Sequence, residues 1–196
     1  DVHWYQAGAN APGRIEKVEL SLPEGVQLTR VSDKSLSEML ASGEIDCAII
    51  ARPPTCFLEN HPDVVRLYPN YLEMEEQYYD RTKVWPIMHI IAIQKHILDE
   101  NPWIARNLVN AFNESKRRSI ERLFDPAVSR YPLPWLPTYA RRMRDMMHGD
   151  TFPFGVEANR PTWEQLLLYT YQQGIAHRHA KVEEVFPAGI DTEIIV

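Results

Sequence analysis

The stretch from Ser35 to Ala51, which reads SLSEMLASGEIDCAIIA, indicates the fold class of this 196-residue chain. Ser35 followed by Glu38 is the capping-box arrangement that begins a helix, and Gly43 is a residue that typically ends one. The apolar run 44–51 then has the length and composition of a strand that is buried on both faces. A helix, a glycine and a buried strand in this order are typical of an α/β domain.

The rest of the chain continues this alternation of strands and helices. Arg52-Pro53-Pro54 interrupts it with two prolines, which stiffen the backbone and suit a crossover between two lobes. Periodicity and capping residues predict strands and helices on both sides of this break. The predicted strands are 2–6, 26–31, 64–68 and 87–94, and the predicted helices are 71–81, 101–123, one from 137 to about 149, one from Thr162 to Gln173, and 181–186.

The composition excludes several classes of partner. The chain is 44% hydrophobic with a formal charge of -6, and it lacks the long basic runs that nucleic acids require. The cluster Lys116-Arg117-Arg118 lies in a helical pattern, so a solvated helix face is favoured over a phosphate-binding patch. No apolar stretch reaches the roughly 18 residues that span a bilayer, and the start has no signal-peptide pattern. Two cysteines, Cys47 and Cys56, are too few for a disulfide scaffold and lack zinc-ligand spacing.

Three cations lie where an α/β protein could hold an anion. Arg14 and Lys17 follow the first predicted strand, and ligands of open α/β sheets bind where strands end. An ordinary charged helix start is the alternative for this pair. Arg52 directly follows the predicted buried strand, and a guanidinium matches a carboxylate through two parallel hydrogen bonds. A structural ion pair across the lobes is its alternative.

One histidine, His89, lies inside the longest apolar run, shortly after Trp85-Pro86. An imidazole has an unperturbed pKa of about 6.5 and exchanges a proton near neutral pH at little cost. The alternative is a hydrogen-bonded histidine of the core. The chain has no Gly-rich phosphate loop, nucleophile elbow or His-Glu-x-x-His motif that would indicate a different chemistry.

Several stretches, taken together, resemble the 4,5-dihydroxyphthalate decarboxylases, relatives of the type II periplasmic-binding-protein fold. They are GRIEKV (13–18), SLSEMLASGEID (35–46), ARPP (51–54), PIMH (86–89), NPW (101–103) and FGVEANRPT (154–162). The resemblance implies a two-lobed α/β architecture with the first part of one lobe missing, in agreement with a start at Asp1 without an initiator Met. Residues 1–51 would then be part of the second lobe, and 52–196 the crossover and the C-terminal part of the first.

The resemblance also implies an activity, the non-oxidative decarboxylation of 4,5-dihydroxyphthalate, or a related hydroxylated aromatic acid, to protocatechuate and carbon dioxide in aromatic-compound degradation. The chemistry then suggests that Arg52 and Arg14 hold the carboxylates with help from Lys17, while His89 donates a proton. The pair Glu157 and Arg160 is a reserve for substrate binding, with a loop packed before a helix as its alternative.

The implied mechanism needs no organic cofactor, and no ligand cluster supports the divalent metal that it leaves open. A cytoplasmic enzyme is expected, with a small aromatic dicarboxylate as its partner, no nucleic acid or membrane, and homo-oligomerisation left open. We expect the cations and the imidazole to share a pocket between the two lobes.

Two other functions suit the same fold. The first is a substrate-binding protein of an ABC transporter for an aromatic acid or a thiamine-precursor-like ligand, which would use the arginines but need no proton donor. The second is a biosynthetic enzyme of the thiamine-pyrimidine type, which the lack of a Cys-rich motif disfavours.

Overall fold

The computed structural model describes residues 2–14, 18–127 and 131–190. They form a mixed α and β structure, as the sequence predicts, with a small two-stranded sheet and a larger share of helix. In chain order the elements are β1 (His3–Gly8), β2 (Gln27–Ser35), α1 (Leu36–Ser42), α2 (Thr55–Leu58), α3 (Tyr71–Thr82), α4 (Lys95–Glu100), α5 (Trp103–Phe124), α6 (Leu136–Met146), the 3-10 helix Glu157–Asn159, α7 (Arg160–Gln172) and α8 (Val182–Val185).

The strands β1 and β2 pair in parallel and confirm the strands predicted at 2–6 and 26–31. His3 lies opposite Gln27, and the register shifts between Gln6 and Gly8, so that Gly8 lies opposite Ser35. Parallel strands cannot be joined by a tight hairpin, because the chain must return to the same end of the sheet. Residues 9–14 and 18–26 are the described parts of this return, and the first of them is the loop that carries Arg14.

Helix α1 begins and ends where the sequence predicts. The Ser35 hydroxyl accepts from the Glu38 N–H at 3.2 Å, and the Ser35 N–H donates to Glu38 Oε2 at 2.7 Å, which completes the capping box. Gly43 adopts a left-handed conformation (φ 75°) and ends the helix. The hydrogen bonds from Ser35 hold the pKa of the Glu38 carboxyl below its ordinary value.

Three predicted strands are wrong. The segments 44–51, 64–68 and 87–94 contain no strand in the structure. Within them Ile45 is buried, but Ile49 is 83% exposed and Met88 is 73% exposed. A β-branched apolar run favours extended backbone, whereas a strand also needs a neighbour that supplies hydrogen bonds. In the described part of the chain, β1 and β2 pair with each other and with none of these segments.

Most of the helices are confirmed, with small shifts. Helices α3, α5, α6 and α8 fall where periodicity predicts them, and α5 directly follows the predicted Asn101-Pro102 start. The prediction that Thr162 caps α7 is wrong, because α7 begins at Arg160 and Thr162 lies inside its first turn. The short helices α2 and α4 were not predicted. None of the helices in the described part of the chain is both long and apolar enough to cross a membrane.

The chain divides into two compact units. Unit 1 comprises Asp1–Met74 and Tyr169–Arg178, and unit 2 comprises Glu75–Leu168 and His179–Val196. Each unit has buried apolar side chains of its own. Those of unit 1 include Ala7, Met39, Ile45 and Cys56, and those of unit 2 centre on Val156, Trp163 and Val182, with Ile87, Leu167, Phe186 and Ile190 packed against them. The assignment of 1–51 and 52–196 to two lobes stays a prediction.

Candidate functional site

The two predicted arginines of unit 1 lie on separate loops. Arg14 is exposed in the loop that follows β1, and Arg52 is exposed directly before Pro53-Pro54 and α2. Arg52 forms no hydrogen bond or ion pair with any residue of the ranges 2–14, 18–127 and 131–190, so the structural ion pair considered for it is not seen there. Lys17, the third predicted cation, lies outside the described residues.

One asparagine joins these two loops. The Asn10 side chain donates through Nδ2 to the Pro53 carbonyl at 3.2 Å and accepts through Oδ1 from the Thr55 N–H at 2.7 Å. Asn10 lies on the loop of Arg14, and its two partners lie just after Arg52. The structure therefore brings the backbones of the two predicted arginine loops together. Sequence reasoning missed Asn10, because an asparagine in a loop rich in Gly, Ala and Pro is typical of a local turn.

Further hydrogen bonds fix the same region. The Ser37 N–H donates to the Ala9 carbonyl at 3.0 Å, and the Ser37 hydroxyl accepts from the Cys56 N–H at 3.0 Å. The first amides of α2 are therefore capped by Asn10 and Ser37 from elsewhere in unit 1, since Pro54 has no side-chain acceptor. Ser37 is buried, so this connection between α1, α2 and the loop after β1 is shielded from water.

His89 is exposed in unit 2, so the interpretation of a buried core histidine is wrong. It lies in segment 83–94, which has no regular secondary structure but is held near its start. The Trp85 N–H donates to Thr162 Oγ1 at 3.0 Å, and Ile87 packs against the buried cluster that contains Val156. Pro86, between these two anchors, restricts the backbone further. Two residues after the second anchor, the imidazole is presented to solvent from a fixed segment.

Arg160 and Glu157 form an ion-pair cluster on the same unit. Arg160 Nε donates to Glu157 Oε2 at 2.9 Å, and its Nη2 contacts the other oxygen of the same carboxylate. Arg160 Nη1 donates to Glu183 Oε1 at 2.8 Å and lies 3.7 Å from Glu164 Oε1. Hydrogen bonding to Arg160 lowers the pKa of the Glu157 carboxyl. These contacts favour the interpretation of a structural segment before α7, since a substrate carboxylate would have to displace a protein carboxylate.

The segment that carries Glu157 is also held from within. Asn159 is buried, and its Nδ2 donates to the carbonyls of Pro153 and Gly155, both at 2.8 Å. Thr162 follows in the first turn of α7 and accepts from Trp85, as described above. The structure therefore joins the segments of Glu157, Arg160 and His89 through one hydrogen bond and one apolar cluster. Neither Asn159 nor Thr162 was singled out as a site residue from the sequence.

The basic cluster of α5 is neutralised by carboxylates. Arg117 donates to Glu114 and Glu121, and Arg118 donates to Glu114. The two guanidinium groups hold the pKa of the Glu114 carboxyl at about 2. The third member, Lys116, donates to Asp150 at 2.7 Å and lies over a phenyl ring. This supports the interpretation of an ordinary helix surface.

Two cavities of unit 2 are lined by none of the predicted site residues. One of about 290 Å³ lies between the start of α5 and residues 187–190. The other, of about 400 Å³, is lined mainly by apolar groups, among them the rings of Phe112, Phe152 and Phe154. Within the ranges that the structure describes, no three His, Cys, Asp or Glu side chains form a group that could hold a metal ion.

Comparison with known proteins confirms the resemblance seen in the sequence. No protein-family model matches the chain. Two curated relatives, however, are carboxy-lyases. One, 4,5-dihydroxyphthalate decarboxylase of Comamonas testosteroni, is 34% identical over 194 residues, which are 98% of this chain and 59% of that protein. The other, 4,5-dihydroxyphthalate decarboxylase of Pseudomonas putida, is 45% identical over 69 residues, or 35% of this chain and 27% of that protein. The chain thus spans 59% of the length of the Comamonas relative.

Proposed function

We propose that the protein is a carboxy-lyase that converts 4,5-dihydroxyphthalate, or a related hydroxylated aromatic acid, to protocatechuate and carbon dioxide. The observation that carries this proposal is the 34% identity to a decarboxylase of that name over 98% of the chain. The exposed cations and the anchored imidazole of this chain are two of the three kinds of group that the reaction needs, and the third is a base that accepts the proton of a ring hydroxyl.

The chemical problem is that an aryl carboxylate leaves poorly. The electrons of the breaking bond would remain in an sp2 orbital outside the π system of the ring. Protonation of the ring carbon that carries the carboxylate removes this difficulty, because a hydroxyl para to it, once deprotonated, pushes electron density onto that carbon. The dienone that results loses carbon dioxide, the bonding electrons return to the ring, and the added proton remains as the new C–H. The base that accepted the proton of the hydroxyl returns it in the same step, so the only proton consumed for each carbon dioxide released is the one that the acid gives to the ring carbon.

In this proposal Arg14 and Arg52 bind the two carboxylates. Both side chains are exposed on loops whose backbones Asn10 connects, and a guanidinium can donate two parallel hydrogen bonds to one carboxylate. A diacid with neighbouring carboxylates carries two charges close together, and two cations on adjoining loops suit it. Lys17 is proposed as a third cation on the basis of the sequence alone.

His89 is proposed as the proton donor to the ring carbon. An imidazole is the side chain best suited to donate a proton near neutral pH, and a general acid contributes about 10²–10⁴-fold to a rate. The exposure of His89 and the two anchors that precede it support this role, since a catalytic acid must be both accessible and fixed. Glu157 and Arg160 are proposed to support the segment next to it rather than to bind substrate as primary ligands.

The reaction as written needs no organic cofactor and no metal, and we propose that none takes part. We also propose that the substrate is a small aromatic dicarboxylate, that the enzyme is cytoplasmic, and that the full-length gene product has the two-lobed type II periplasmic-binding-protein-like architecture. Measuring the activity after dialysis against a strong chelator tests whether a metal takes part. A crystal structure of the full-length gene product tests the architecture.

The test of function is release of carbon dioxide by the full-length gene product from a panel of hydroxylated phthalates and benzoates. We expect turnover of 4,5-dihydroxyphthalate, with one product molecule of protocatechuate for each carbon dioxide. Tight binding of aromatic acids without any turnover would instead favour a substrate-binding protein.

The role of Arg52 is tested separately by comparing ligands. Arg52→Ala should weaken binding of phthalate about tenfold or more, because a charged hydrogen bond contributes about 1.5–3 kcal/mol. Binding of catechol, which has no carboxylate, should hardly change. Equal effects on both ligands would remove Arg52 from the site.

A further inference from the structure

We infer that Asn10 is a positioning residue that fixes the spacing between the loops of Arg14 and Arg52 and thereby selects for a diacid over a monoacid. This inference rests on the proposed function, because it assigns the two arginines to substrate carboxylates. Asn10 itself is not proposed to touch the substrate.

The first observation is where the Asn10 amide binds. Its two partners, the Pro53 carbonyl and the Thr55 N–H, lie one and three residues after Arg52. Both hydrogen bonds join residues that are more than forty positions apart, so they are tertiary contacts and not part of a local turn. If the loop of Asn10 were displaced, these two hydrogen bonds would therefore shift the backbone that carries Arg52 as well.

The second observation is that the segment after Arg52 is stiff. Two consecutive prolines fix their own φ angles and have no N–H to donate. The groups that Asn10 binds, one carbonyl and the next available N–H, are thus among the few polar backbone groups that this segment offers. Because this segment is stiff, a shift of the side chain that is hydrogen-bonded to it moves the whole segment. A flexible segment would instead change its own conformation and would leave Arg52 in place.

The third observation is that the loop of Arg14 is itself tightly folded. A Cβ on Gly8 would lie 1.9 Å from the Ala11 carbonyl oxygen and 3.5 Å from Arg14 Cβ, so the loop folds back against the end of β1. Gly13, directly before Arg14, has a positive φ of 84°, which a turn of this kind requires. The position of Arg14 is therefore set by the same short loop that Asn10 anchors.

The chemistry of the amide explains why this position needs asparagine. Asn10 must donate to a carbonyl and accept from an N–H at the same time, and a primary amide has one group for each task. A carboxylate in its place could accept from Thr55 but would face the Pro53 carbonyl with negative charge. Asn10→Asp should therefore keep one hydrogen bond and lose the other, which makes it an informative intermediate variant.

The test compares two ligands that do not react, phthalate and benzoate, by calorimetry on the full-length gene product. Asn10→Ala should weaken phthalate binding about tenfold or more, because small misplacements of binding groups have large effects, while benzoate, which needs one cation only, should change less than about threefold. Asn10→Asp should lie between the wild type and Asn10→Ala. Asn110→Ala, which removes an exposed asparagine of α5, is the matched control and should change neither affinity.

Thermal unfolding of each variant separates positioning from loss of fold. If Asn10→Ala is too unstable to titrate, the ratio of the two affinities in Asn10→Asp decides. An unchanged ratio, in variants that still fold, would overturn the inference and leave the proposed function intact. A wild-type protein that neither binds phthalate nor releases carbon dioxide from 4,5-dihydroxyphthalate would overturn both.

Discussion

Replacing Thr162 by valine removes one hydrogen-bond acceptor while preserving most of the side-chain shape. Thr162 is 5% exposed, and its Oγ1 lies 3.0 Å from the Trp85 nitrogen that donates to it. A buried donor left without a partner costs about 1–3 kcal/mol. Because Trp85 is only partly buried, water can reach it in part, and we expect about 1 kcal/mol. In a protein of this size, that corresponds to a fall in Tm of about 2–4 °C.

The same hydrogen bond anchors the segment of His89, four residues from the histidine. We therefore expect Thr162→Val to lower kcat for the proposed decarboxylation several-fold or more, with little change in KM, because the arginines proposed to bind the carboxylates lie on other loops. Thermal unfolding and steady-state kinetics measure the two effects, and Thr162→Ser, which keeps the hydroxyl, is the matched control. A Thr162→Val variant with the Tm and the kcat of the wild type would refute this reasoning, as would a serine variant that behaves like valine.

Three further predictions concern the packing and charge of the two units. Gly174→Ala should destabilise the protein far more than Gly43→Ala does, as measured by urea unfolding. Both glycines have positive φ, but a Cβ on Gly174 would lie 1.8 Å from a backbone oxygen. A Cβ on Gly43 would face open space, so that substitution should cost only about 1–2 kcal/mol. The difference in free energy of unfolding between the wild type and Glu38→Gln should be largest above about pH 4.3. It should shrink as the pH falls through the lowered pKa of Glu38, because the hydrogen bonds from Ser35 stabilise only the carboxylate form. The carboxyl of Glu114 should titrate at about 2 by NMR, and Arg117→Ala should raise this pKa toward the ordinary value near 4.3.

The elements that could be predicted from the sequence are those whose stabilising contacts are local. The capping box of α1 needs only Ser35 and Glu38, three positions apart, and the left-handed end at Gly43 needs only the missing side chain. The long helix α5 is likewise predicted by the spacing of its apolar residues and by the proline before it. Because local patterns of this kind determine where these two helices begin and end, their predicted bounds are accurate to a residue or two.

The strands show the opposite case. The runs 44–51 and 87–94 have the composition of buried strands, yet neither is paired in the structure. Pairing depends on a neighbour that can come from any part of the chain, and the composition of one segment does not encode it. The exposure of Ile49, Met88 and Ile90 shows that an apolar run indicates a preference for extended backbone but does not place that segment inside a sheet.

The candidate site divides in the same way. Arg14 and Arg52 could be singled out because they are cations that follow predicted strands, and His89 because it is an imidazole inside an apolar run. Asn10 and Thr162, which hold the loops of these residues, could not, because each acts through hydrogen bonds to residues 43 to 77 positions away. Arg160 and Glu157 were considered for substrate binding, and the ion pairs of Arg160 with Glu157 and Glu183 became apparent only from the fold.

The proposal that His89 delivers the proton is the central claim, and one variant tests it most directly. His89→Gln in the full-length gene product keeps a polar side chain of similar size but removes the acid, and carbon dioxide release from 4,5-dihydroxyphthalate is followed together with phthalate affinity. We expect turnover to fall by about 10²-fold or more, with affinity within about tenfold of the wild type. Turnover at the wild-type rate by this variant would contradict the proposed mechanism.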